Sequence, residues 1–294
     1  MNAQVFGEIE VKDSASYALD TNGALVAYAI PGTSTVEIIN VNTLTEIPVQ
    51  LSSEVQKRAI TCLKLSRGAI GTSDPRSSSL DPANPHAKKK HDSLLFTGNA
   101  EAIVVWNLTE VLPASSHGYN LPPPIMIVSN PGSVESLTFS SRLNYLVCCI
   151  GKDVHIFDVS TFRNIYRLEG HTAPVLSASF ADTPNLLITT GEDRTFRIWD
   201  LYEGTVVYQS GILCAVPLVH ISVDLAFPRI ALGSSDGVVR IFDISGLPVV
   251  RQMQSIDVAR QVRRAGDQWS STYGPLINAK MGGVHVIKGN PRAG

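Results

Sequence analysis

A handful of residues in this chain have types and spacing that could support chemistry. Residues 233–237 (GSSDG) match the nucleophile-elbow pattern, in which a serine, here Ser235, sits on a sharp strand-to-helix turn. The flanking segments, Arg229–Leu232 and Val238–Phe242, read as two short strands. The pattern is then a hairpin turn, and no catalytic residue is expected there. The four cysteines, Cys62, Cys148, Cys149 and Cys214, contain no C-x-x-C pair. That argues against structural zinc or a dithiol redox centre, and for small buried side chains in a reducing compartment. None of the seven histidines pairs at metal-ligand spacing. His155 and His220 alternate with apolar residues as half-exposed strand positions do, and His86 and His91 lie in a polar stretch. There is no Walker loop and no G-x-G-x-x-G. No cofactor, metal or small-molecule substrate is expected. Asn107 and Thr109 complete a glycosylation triplet, but Met1 to Asp20 carries no apolar signal core, so the site is expected to be unmodified.

The elements that must position these residues are short strands. The chain has 294 residues, 44% apolar and only 17% charged, a balance that suits half-buried strands better than solvated helices. Its net charge of −2 supplies no basic field for nucleic acid. The longest apolar runs, such as Tyr145–Ile150, are too short to span a bilayer. The expected location is intracellular, cytoplasmic or nuclear, and not secreted.

Five segments repeat one pattern of alternating apolar residues followed by Asp or Asn and another apolar residue. They are Val36–Val41 (VEIINV), Ile103–Leu108 (IVVWNL), Val154–Val159 (VHIFDV), Phe196–Leu201 (FRIWDL) and Val239–Ile244 (VRIFDI). The gaps between their acidic or amide positions are 67, 51, 42 and 43 residues. The two longer gaps contain Thr72–His91, rich in Ser, Pro, Asn and Lys, and Pro113–Pro124, with three consecutive prolines. Proline donates no ladder hydrogen bond, so both stretches read as inserted loops. The clearest repeat divides into Val175–Phe180, Asn185–Thr190, Thr195–Trp199 and Thr205–Tyr208, separated by turn residues. A single four-stranded meander cannot hide both of its faces, and radial packing of such sheets can.

Gly170-His171 followed by Trp199-Asp200 resembles the Gly-His to Trp-Asp frame of WD repeats, whose period is about 40–45 residues. The resemblance runs from about Ser14 to Ser255, and the stretch Ser133–Ser245 is similar to the first propeller of one member of that family. It implies a buried hydrogen-bonded set of His171, Thr189, Asp193 and Trp199. Elsewhere the set is partial. Thr97 and Trp106 have Glu101 at the aspartate place and no Gly-His pair, and Asp236 has Leu232 and Phe242 at the partner positions.

The expected fold is therefore an all-β WD-repeat propeller with about five recognisable four-stranded blades, part of a seven- or eight-bladed whole. Residues 1–256 hold the blades, with insertions at 72–91 and 113–124, and 257–294 form an irregular tail or the start of a further blade. Val5–Val11 and Gly282–Lys288 are single candidate strands.

The implied function is a non-catalytic scaffold that binds other proteins or peptides on a propeller rim. Rim candidates are Lys152, Pro174, Glu192, Arg194 and Ser235, because binding residues concentrate on loops held by a rigid scaffold. Two other readings compete. A metal-dependent hydrolase in the central channel would need converging carboxylates and histidines, and the innermost strands supply only Lys64, Glu135 and His220. An RNA-contacting adaptor would use Arg251, Arg260, Arg263 and Arg264. Met253, Ile256 and Val262 stand loosely at helical spacing among those arginines, as a partner-binding helix would have them, but the stretch reads better as an irregular linker towards another blade. Ser77–Ser79 and Lys88–Lys90 are read as a solvated loop, in preference to a phosphorylation switch or import patch.

Overall fold

Each repeat carries β-branched and aromatic residues in short runs broken by Gly, Asp, Asn and Pro, and these runs form strands of three to seven residues. The computed structural model describes residues 18–22, 25–30, 32–40, 49–51, 56–66, 93–109, 111, 123–129, 131–181, 185–224 and 226–261. These residues form five antiparallel four-stranded sheets, each a meander in chain order. Blade 1 holds β1 (Leu19–Thr21), β2 (Leu25–Ala29), β3 (Val36–Asn40) and β4 (Val49–Leu51). Blade 2 holds β5 (Cys62–Leu65), β6 (Leu94–Gly98), β7 (Ala102–Asn107) and β8 (Met126–Ser129). Blade 3 holds β9 (Val134–Ser140), β10 (Tyr145–Ile150), β11 (Asp153–Asp158) and β12 (Arg163–Leu168). Blade 4 holds β13 (Val175–Phe180), β14 (Leu186–Gly191), β15 (Phe196–Asp200) and β16 (Thr205–Gln209). Blade 5 holds β17 (Leu218–Val223), β18 (Arg229–Ser234), β19 (Val238–Asp243) and β20 (Arg251–Asp257).

The first strand of each sheet is innermost. β1 packs on β5, β5 on β9, β9 on β13 and β13 on β17, so the blades follow one another around an axis. In blades 3, 4 and 5 the register shifts once between the first and second strands and once between the third and fourth. Such bulges raise the local twist that a propeller blade needs.

The core lies in the seams between blades, and strand alternation decides which seam a side chain enters. In β6, Leu95 joins Leu25, Ile38 and Trp106 in the seam of blades 1 and 2, while Leu94 and Phe96 join Val134, Leu146 and Phe157 in the next. In β10, Cys148 enters the seam with blade 2 and Cys149 the seam with blade 4. In β14, Leu187 meets Val147, Ile156 and Trp199, and Ile188 meets Leu218, Ile230 and Phe242. Cys62, Cys148 and Cys149 are buried and Cys214 is half-buried, all as free thiols. Burial pushes the Cys62 thiol up to about 12 and raises Cys148 and Cys149 as well, so these thiols stay protonated.

The repeated Asp or Asn has a local cause. Its side-chain oxygen accepts the backbone N–H two residues on, closing the turn that follows the third strand. The pairs are Asn107 with Thr109 (3.1 Å), Asp158 with Ser160 (2.7 Å), Asp200 with Tyr202 (2.8 Å) and Asp243 with Ser245 (2.8 Å).

The structure corrects one expectation. Met253 and Ile256 lie in strand β20, the fourth strand of blade 5, and neither in an irregular linker nor on a helix. The free edge of β19 overrides their helical spacing, and helical geometry is confined to 258–261. Residues 1–17, 67–92, 112–122 and 262–294 lie outside the described residues, so the 72–91 insertion, Lys88–Lys90, the tail arginines Arg263 and Arg264 and nearly all of 113–124 do too. The strands that the insertions join are described. One insertion links β5 to β6 and the other β7 to β8, so both leave the same end of blade 2, where Ser66, Ser93 and Leu108 adjoin. No helix among the described residues is long and apolar enough to cross a membrane.

Phe196 measures what a seam contributes. It is fully buried, with ring centroids 5.1 Å from Phe242 and 5.3 Å from Tyr208. Phe196→Ala is expected to lower unfolding stability by about 3–5 kcal/mol. Tyr202→Ala, at a side chain 79% exposed, is expected to stay within about 0.5 kcal/mol. Denaturant melts of the two variants beside the parent check both values.

Candidate functional site

Blade 4 contains one continuous polar chain. The Trp199 indole N–H donates to Thr189 Oγ1 at 2.8 Å, and Thr189 Oγ1 lies 2.8 Å from His171 Nε2. His171 Nδ1 lies 2.7 Å from Asp193 Oδ2. One proton assignment satisfies every member: Thr189 donates to Nε2, and Nδ1–H donates to the carboxylate. Asp193 also accepts from Thr172 N, Thr195 N and Thr195 Oγ1. Gly170 stands at the entry to this chain with φ of 156°, a backbone conformation that L side chains rarely adopt. Arg197, itself 8% exposed, donates to Gly170 O at 2.7 Å and lies over the Trp199 ring. The four residues expected to form a set are brought together as a set.

Other blades solve the same problem with different residues. In blade 2 the buried Gln56 stands in for the histidine, accepting from Thr97 Oγ1 at 2.9 Å and donating to Ala102 O at 2.8 Å. Glu101 occupies the aspartate place and accepts from Lys57 N and Arg58 N. In blade 5, Ser234 Oγ lies 2.6 Å from Asp236 Oδ1 and accepts from Arg240 Nη1 at 3.0 Å, while Leu232 and Phe242 pack in the apolar seam. Sequence reading missed Gln56, Ser234 and Arg240. Gln56 stands six residues before its inner strand and His171 four, so no fixed spacing signals the equivalence.

These networks hold the turns between second and third strands, which all lie at one end of their sheets. Four of the five candidate rim residues fall in these turns, and Pro174 lies just before β13. Pro174 O accepts from Glu192 N at 2.9 Å, and Pro217 O accepts from Ser235 N at 3.1 Å. Gly151 O, beside Lys152, accepts from Val175 N of the next blade at 2.8 Å. Lys152, Glu192 and Ser235 are exposed, while Pro174 and Arg194 are half-buried. Arg194 has φ of 64°, and its carbonyl accepts from Leu213 N. Gly191 fits where a Cβ would lie 2.5 Å from Pro174 O.

The inner strands hold less chemistry. Lys64 Nζ is 2.9 Å from Asp20 Oδ1, and Asp20 Oδ2 accepts from Leu65 N, so this pair ties blade 1 to blade 2. Glu135 accepts from Ser133 Oγ, and His220 is half-buried. Among the described residues no three His, Cys, Asp or Glu side chains cluster as a metal site would need.

Burial holds His171 below its ordinary value near 6.5, against the pull of the Asp193 carboxylate. Burial would raise Asp193, but its bonds to His171 and Thr195 outweigh that and lower it. The imidazole is therefore neutral in the folded state. Below pH 6.5 the unfolded chain binds a proton that the folded chain does not, so this contribution is complete above 6.5 and lost as pH falls towards the folded value. His171→Ala is expected to cost about 1–3 kcal/mol, and Trp199→Ala about 3–5 kcal/mol. His171→Gln, which copies Gln56, is expected to cost less than His171→Ala and to flatten the decline below pH 6.5 relative to the parent. Thermal melts between pH 7.5 and 5 test all three.

Residues 162–200 match the sequence profile of the WD domain, G-beta repeat. Periodic tryptophan protein 2 homolog of Neurospora crassa is 32% identical over 123 residues, which cover 40% of this chain and 13% of that protein. COMPASS component SWD3 of Saccharomyces cerevisiae is 38% identical over 77 residues, 25% of this chain and 24% of SWD3. The chain thus spans a quarter or less of the length of these relatives. Among solved structures, a chain of the mitotic checkpoint complex superimposes with a TM-score of 0.60 at 17% identity, covering 80% of this chain and 64% of the other. The computationally designed Ika8 protein gives 0.57 at 13% identity, covering 83% and 62%. These two likenesses carry the fold alone. The matched repeat begins in the turn that enters the outer strand of blade 3 and ends with the third strand of blade 4, so it stitches one blade to the next. That is how a WD propeller is assembled, and the chain folds as a WD-like β-propeller that carries a WD repeat at residues 162–200.

Proposed function

We propose that this chain is a non-catalytic scaffold that assembles a multiprotein complex, and that its working surface is the rim built from the second-to-third-strand turns of blades 3, 4 and 5. The observation that carries this reading is the backbone series Gly151–Val175, Pro174–Glu192 and Pro217–Ser235, which fixes exposed turn residues to the inner strands. A rigid display of this kind costs little ordering entropy on binding. Lys152, Glu192 and Arg194 give the rim both signs of charge, so its partner is a protein or peptide segment with complementary charges. The relatives support the coarse reading: SWD3 is named a COMPASS component, and swd1 of Schizosaccharomyces pombe a Set1 complex component.

The test is a charge swap, Lys152→Glu with Glu192→Lys, which leaves net charge unchanged and alters two exposed side chains. Affinity capture from cell extract, quantified by mass spectrometry, is expected to lose at least one parent partner by about tenfold or more, as loss of one charge-assisted contact implies. Retention of every partner at parental level by a folded variant would remove this rim as the working surface.

A further inference from the structure

What a proton does to the polar chain of blade 4 is decided at one atom. Thr189 Oγ1 is fully buried, and its partners among the described residues are the Trp199 indole N–H at 2.8 Å and His171 Nε2 at 2.8 Å. An indole N–H only donates, so the hydroxyl accepts from Trp199 and donates to Nε2. A proton on Nε2 turns that acceptor into a second donor. The hydroxyl then faces two N–H groups, and its own proton loses its acceptor in a site closed to solvent. The charges that face the ring are divided. Burial opposes a cation at His171 most, Asp193 on the turn after β14 favours it, and Arg197 of β15 opposes it, with the balance below the ordinary value. From blade 3 the seam receives the Cys149 thiol, which burial keeps protonated and neutral. On the histidine's own segment Glu169 is exposed and pairs with Arg167 of β12 at 3.1 Å.

A charged ring has a way out. Gly170 and Thr172, on either side of His171, are exposed, so the imidazolium reaches water by turning outward with its segment. That movement withdraws His171 Nδ1–H and Thr172 N from Asp193 Oδ2, where both are held. The turn that carries Glu192 and Arg194 is left with its bonds to Pro174 O and Thr195. Val175, Leu187 and Trp199 stay packed in the seam with blade 3. Blade 2 has the Gln56 amide at the corresponding place, which does not titrate, so its turn keeps its bonds in acid. We propose that His171 is an acid switch: its protonation unlocks the blade 4 turn that carries Glu192 and Arg194, and releases a partner held there, while the seams keep the blade folded. The release rests on the rim reading above, and the unlocking does not.

Amide exchange of the folded chain is followed from about pH 7.5 to about pH 5, corrected for its intrinsic pH dependence, beside the NMR titration of the His171 imidazole. The Thr172 and Glu192 amides are expected to lose protection by about tenfold or more, the factor that one unit of altered proton affinity implies. The midpoint should follow the His171 titration below 6.5, and the Leu187 and Ile188 amides of β14 should keep their protection. His171→Gln, checked for folding by circular dichroism, is expected to hold Thr172 and Glu192 protected throughout. In a second arm, partners captured from cell extract at about pH 7.5, and lost by the Lys152→Glu with Glu192→Lys protein, are washed at falling pH. They should leave the parent about tenfold more readily than they leave His171→Gln. Protection unchanged at about pH 5, loosening shared by His171→Gln, or β14 opening together with the turn would overturn the switch. Partners that stay on the parent after its turn has opened would overturn the release. If the charge swap loses no partner, the rim reading falls, and the exchange arm alone decides the switch.

Discussion

A four-stranded sheet whose middle strands are apolar on both faces cannot stand alone, and the structure follows from the need to cover those faces. In blades 2, 3 and 4 the interior strands divide their side chains between two seams, as Leu95 and Phe96 do in β6 and Leu187 and Ile188 in β14. Full burial of each such side chain is worth roughly 1.5–3 kcal/mol, so the seams outweigh any single polar contact. The inner strands are brought side by side as a result, and the turns at either end become two continuous surfaces. Stability therefore resides between repeats more than within them, as in other repeat architectures.

The seams fix strands but leave turns free, and polar groups complete the work there. The Asp or Asn that ends the third strand in blades 2 to 5 closes one set of turns. The His171 to Asp193 chain closes the other set in blade 4 by tying the segment before β13 to the turn after β14. A buried chain of this kind is stabilising only when every donor and acceptor is used, and the neutral imidazole of His171 meets that condition. Blade 2 reaches the same end with an amide, which cannot titrate.

Much of this was legible in the sequence. The repeat period placed the third strands, and the inner strands Val134–Ser140, Val175–Phe180 and Leu218–Val223 stand where alternation put them. The His171 set followed from a resemblance and is present as a bonded chain. What escaped had physical reasons. Gln56 does the work of a histidine with different reach and at a different distance from its strand, so its role exists only once Thr97 and Ala102 are adjacent. Ser234 and Arg240 meet only across the β18–β19 hairpin. Met253 and Ile256 are three apart, the spacing of one helix face, and only the free edge of β19 makes the stretch a strand.

The central claim is that the buried chain in blade 4 turns a loop into a rigid display surface. Amide hydrogen exchange reads this directly at Thr172, Glu192 and Thr195, whose N–H groups donate to Asp193 or Pro174. At neutral pH the account requires protection at these three amides comparable to that of the β14 strand amides beside them, opening only with the blade. Exchange at the rate of an unprotected turn, with β14 still protected, would contradict it.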